Sequence, residues 1–138
     1  MRVKNELLEV LFQTIVNHDW SIDVEGENDY RLGKYSPAGQ DFSIIVEGEE
    51  VDEIIESIYQ AYENYDVSEE TYLWLDNTGH GVNGAPYEMR DVLEDMEACE
   101  QMILDLYNTL KSFDFYWCLY KLNILLKDSR NGFMSKTF

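Results

Sequence analysis

The sequence predicts an α+β fold: a small, mainly antiparallel sheet of about four strands, packed by two or three amphipathic helices. Three observations lead there. Between Trp20 and Val46, short alternating segments are separated by turn residues. Near 49–64 and 86–110, apolar residues recur at helical spacing opposite rows of carboxylates. Hydrophobic content of 45% and aromatic content of 14% supply a core that a chain disordered through charge lacks. A length of 138 residues suits one domain with a real core. The expected division is an acidic α+β domain over 1–112 and an apolar, weakly basic extension over 113–138.

In chain order, Val3, Leu7, Leu8, Leu11 and Ile15 fall at helical spacing and predict a first helix over 3–17. Trp20 to Glu25 alternates as a strand, Gly26 to Asp29 turns, and Tyr30 to Tyr35 reads as a second strand. Ser36-Pro37-Ala38-Gly39 interrupts, and Phe42 to Val46 resumes as a third, giving an antiparallel meander. The helix expected over 49–64 puts Val51, Ile54, Ile55, Ile58, Tyr62 and Tyr65 on one side. Asp52, Glu53, Glu56, Gln60 and Glu63 lie opposite. Asp66 and Ser68 then mark a turn, and the short apolar run Tyr72-Leu73-Trp74-Leu75 reads as a fourth strand buried on both faces. After a glycine-rich loop, Pro86 pre-sets a long helix to about Leu110. Its expected core stripe is Met89, Val92, Met96, Cys99, Ile103, Leu106 and Leu110, with Asp91, Glu94, Glu97 and Asp105 facing water. The segment from Phe113 fits a strand by alternation and a buried helix nearly as well; its apolar load needs cover from its own domain or a second copy.

Charge is the outlier, at −18 from 10 Lys+Arg and 28 Asp+Glu. Residues 1–110 hold five basic and 26 acidic residues, residues 111–138 five and two. Such a body disfavours bare nucleic acid and anionic membrane as partners, and suits a basic protein surface such as a nucleic-acid groove. Residues three or four apart on a helix lie ~5–6 Å from each other, comparable to successive phosphates along a strand. Asp52, Glu53, Glu56 and Glu63 form one such row, and Asp91, Glu94, Glu97 and Asp105 a second. These eight are the expected partner-binding residues. The plainer alternative is a solvated face that keeps the protein soluble.

No ordinary catalytic apparatus is visible, so the chain is not expected to be an enzyme. Gly79-His80-Gly81-Val82-Asn83-Gly84 spells G-x-G-x-x-G, the dinucleotide fingerprint. About seventy residues of other structure precede it, though, and Glu88 and Asp91 stand where a pyrophosphate would sit. An exposed turn accounts for it better. Asp76 with His80 lacks the Cys or His cluster of a metal site, so neither metal nor other cofactor is expected. Cys99 and Cys118 make no disulfide framework, and Cys99 falls on an apolar helix face as a reduced, buried thiol. Arg2 to Glu9 does not read as a signal peptide, and no apolar run reaches the ~20 residues of a membrane span. The expected compartment is the cytosol.

Four segments resemble a family of small acidic proteins carried by phages and mobile elements of gut bacteria. They are the S-P-A-G-x-D-F turn at Ser36 to Phe42, Tyr62 to Asp66, the apolar Tyr72 to Leu75, and the G-x-x-G-x-P loop at Gly81 to Pro86. The resemblance covers roughly residues 1–110, and relatives include anti-CRISPR inhibitors of the type II, RNA-guided DNA nuclease. It implies no catalytic residues, and a setting, the bacterial host cell, in which blocking host defence is a common task. The expectation is therefore an acidic DNA mimic that binds such a nuclease and blocks DNA binding. The alternative is a non-enzymatic scaffold that self-associates, as a homodimer, through residues 113–138.

Overall fold

The computed structural model describes residues 2–77 and 89–112. The elements are α1 (Arg2–Asn17), β1 (Ser21–Val24), β2 (Asp29–Tyr35), β3 (Asp41–Glu47), α2 (Val51–Asn64), α3 (Val67–Asn77) and α4 (Met89–Lys111). The class is α+β, with an antiparallel sheet in the order β1-β2-β3. The glycine loop with His80, Pro86, Cys118 and the extension from Phe113 lie outside the described residues.

One correction concerns the sheet, which has three strands among the described residues rather than about four. Tyr72 to Leu75 is not a strand buried on both faces but the middle of α3. Asp66 opens that helix by accepting the Glu69 N–H on Oδ1 at 3.0 Å, and Thr71 Oγ1 donates to the Val67 carbonyl at 2.7 Å. Within it, Tyr72 is 66% exposed and Leu73 40%.

Alternation puts Ile22, Leu32, Ile44 and Val46 on the sheet face that the helices cover, while Asp23, Arg31 and Ile45 face away. The main core joins that face to Leu7, Leu11 and Ile15 of α1, Ile54, Ile55 and Ile58 of α2, and Ile103, Leu106 and Leu110 of α4. Burying each such side chain stabilises by about 1.5–3 kcal/mol. Val92, Met96 and Cys99 form a smaller cluster against Phe42, Tyr65, Val67 and Trp74. Met89, expected in the α4 stripe, is instead 66% exposed, because the apolar contacts begin one turn later at Val92.

The SPAG turn is held from a distance. Asp95 is buried on α4, where its Oδ2 accepts from Ser36 Oγ at 2.6 Å and its Oδ1 from the Ala38 N–H at 3.0 Å. Ser36 Oγ in turn accepts the Gln40 N–H at 2.9 Å. Bonds of this kind, with an ionisable acceptor in a dry site, are the strong ones.

Candidate functional site: an acidic groove

The β3–α2 connection builds a strongly charged concavity. Gly48 takes φ +154°, which carries the chain from Glu47 into α2, and its N–H donates to the Asn28 carbonyl at 3.0 Å. The β1–β2 turn is thereby tied beside the start of the helix. Antiparallel register also sets Asp29 opposite Glu47. The result is an open groove of about 750 Å3 whose carboxylates are Glu27, Asp29, Glu47, Glu49, Glu53 and Glu56. Asn28, Ser57 and Gln60 complete its polar lining, and no Lys or Arg stands among the described lining residues. Six like charges in one hollow oppose folding, and they present a ready surface to a cation-rich partner.

The expected partner-binding residues divide. All eight are exposed, as their helical positions require. Glu53 and Glu56 line the groove, Asp52 lies beside it in the first turn of α2, and Glu63 sits beyond it toward the helix end. Glu53 is also occupied structurally: its Oε1 accepts the N–H groups of Glu49 at 2.8 Å and Glu50 at 3.1 Å, closing the start of α2. Glu56 accepts from Gln60 Nε2 at 3.1 Å. Glu63 acts on a neighbour, and together with burial it pushes the Tyr59 phenol above its ordinary range.

Asp91, Glu94, Glu97 and Asp105 run along the outer side of α4 and line no part of this groove. Asp105 accepts from Gln101 Nε2 at 2.8 Å. The two rows are thus separate surfaces, on helices that meet through apolar contacts and the Tyr59–Tyr107 ring pair at 4.7 Å. Helical periodicity missed Glu27 and Asp29 because they lie in the β1–β2 turn and at the start of β2. Hairpin register, counted outward from the Gly26 to Asp29 turn, was the signal that could have found them.

The Cys99 thiol is pushed up to about 12, by burial first and then by the charges of Asp95 and Glu70, which leaves it protonated and a poor nucleophile. Burial likewise pushes the Tyr65 phenol, 3.3 Å from Met96 Sδ, far above its ordinary range. Among the described residues no group of three or more His, Cys, Asp or Glu is arranged to hold a metal. No described helix is long and apolar enough to cross a membrane. No family, no curated protein and no solved structure matches the chain.

Proposed function

We propose that the protein is a DNA mimic: it binds the basic nucleic-acid groove of a host defence protein in the bacterial cytoplasm, and blocks DNA binding there. The favoured target is a type II RNA-guided DNA nuclease. The observation that carries the proposal is the acidic groove in which Glu53 and Glu56 of α2 meet Glu27, Asp29, Glu47 and Glu49, with Asp52 beside it and Glu63 beyond it on the same helix. A partner groove built to neutralise phosphates presents Lys and Arg side chains at the matching separation, and complementary charge of this kind steers and orients encounter. The choice of a nuclease within that class rests on the resemblance carried by four segments, among them the Ser36 to Phe42 turn. That turn serves the fold here, through Asp95, and is not offered as a contact surface.

The test uses a purified nuclease–guide complex, a cognate duplex and two charge-neutral triple variants. Asp52→Asn, Glu56→Gln and Glu63→Gln together spare Glu53 and with it the start of α2. Asp91→Asn, Glu94→Gln and Glu97→Gln together clear the α4 row. We expect the parent to compete with DNA, to weaken as salt rises from 0.05 to 0.3 M, and to lose at least tenfold in affinity in the α2 variant, about 1.4 kcal/mol. If both variants inhibit as well as the parent at both salt concentrations, the acidic surface is only a solubility coat.

A further inference from the structure

The outer edge of β1 carries a second opportunity, on a surface the acidic groove does not use. The Glu25 N–H donates to the Asp29 carbonyl at 2.9 Å, which fixes the phase of the β1–β2 ladder. In an antiparallel pair, alternate residues bond inward, so Ser21, Asp23 and Glu25 face β2. Ile22 and Val24 therefore direct their backbone N–H and C=O groups away from the sheet, at an edge that no described strand covers. Beside that edge, under α1, lies a trough of about 460 Å3 lined mainly by Phe12, Val16, Ile22, Val24 and Tyr30. Val24 is 74% exposed and Val16 48%.

The geometry points to β1 as a docking edge for an extended partner segment that alternates apolar and basic residues, added to the sheet as a fourth strand. Side chains on one face of the added strand would fall into the trough. Those on the other would stand over the open face of the sheet, where β1 presents Asp23. Of the devices that keep an edge strand unpaired, Ser21–Val24 is short, at four residues, and carries Asp23, but it has no Lys, no Pro and an unbroken register with β2. Its one charge is acidic, and Glu9 adds another at the rim of the trough. Both favour a basic strand over a second copy of a chain carrying −18.

The probe is a blocked decapeptide alternating valine and lysine, added to the isotope-labelled full chain. The control is the diastereomer with every second valine in the D form, which keeps charge and composition but cannot extend as a strand. Amide hydrogen exchange at Ile22 and Val24 is the readout. We expect the all-L peptide to slow both amides at least tenfold and the diastereomer to leave them unchanged. Val24→Pro removes one outward N–H and no β1–β2 bond, and should abolish the slowing at Ile22. Val16→Ser, which roughens the trough at a half-exposed position, should weaken peptide binding at least threefold whether or not the proline variant folds. Equal effects of the two peptides, or rapid exchange at saturating peptide, would overturn the proposal. So would protection already present without peptide, whether it grows with protein concentration, as for a second copy, or not.

Discussion

Among the described residues Asp95 is the buried acidic residue, and it ties a distant turn to α4. It accepts from a hydroxyl and a backbone N–H of one turn, and without it the Ser36 hydroxyl proton would be left buried with no acceptor. Asp95→Ala should therefore cost about 2–3 kcal/mol, read as a lower urea midpoint at unchanged slope. Glu70 shows the opposite sign. It stands by a hollow of about 320 Å3 with Phe42, Leu73, Trp74 and Met96. Burial first, and then the charges of Glu69 and Asp66, raise its carboxyl above the ordinary range. A raised folded-state value means that the folded chain holds the proton more tightly, so this site favours folding at low pH and opposes it once pH climbs past the ordinary carboxylate range. Glu70→Gln should raise the thermal midpoint slightly at pH 7, an effect that solvent screening keeps small, and the gain should vanish near pH 4. Neither role was legible in the sequence: Asp95 lies among apolar stripe positions and its partners are 57 and 59 residues away.

At the scale of elements, periodicity read α1, α2 and α4 well, because each buries one stripe against a single core. The strands β1 to β3 were equally legible from alternation and turn residues. Helix α3 was misread because Tyr72 to Leu75 is a continuous apolar run, which has no period to distinguish strand from helix. The correct signal was upstream, where Asp66 stands three residues before Glu69 as a helix start. Two glycines with positive φ give a contrast at the element joints. A Cβ on Gly48 would lie 2.7 Å from Glu53 Cβ and 3.0 Å from the Ile54 nitrogen, whereas a Cβ on Gly39, at φ +87°, meets nothing within 4 Å. Gly39→Ala should cost about 1 kcal/mol from backbone strain alone. Gly48→Ala adds a clash with the first turn of α2 and should cost at least about 1 kcal/mol more, which thermal melts of the two variants will compare.

For the whole molecule, composition already fixed the electrostatic character, while the sequence could not say which carboxylates share a hollow. That depends on the tie between Gly48 and Asn28, a contact across twenty residues. With a net charge of −18, self-repulsion acts over distances that salt shortens from ~30 Å at 0.01 M to ~10 Å at 0.1 M. The thermal midpoint should rise by a few degrees across that range; a fall would show that attraction, not repulsion, dominates the surface. The hold of Asp95 on the Ser36 turn also bears on the path by which the chain folds. Strands β2 and β3 are joined by five residues and can pair early, but their turn is locked only when α4, 59 residues further on, arrives. Contacts that close such long loops tend to form after the rate-limiting barrier. Asp95→Ala should then leave the refolding limb of a chevron plot in place and speed unfolding about 30-fold for a loss of 2 kcal/mol. In a living cell this makes one buried carboxylate the guardian of the protein's residence time in its native state, rather than of how quickly it gets there.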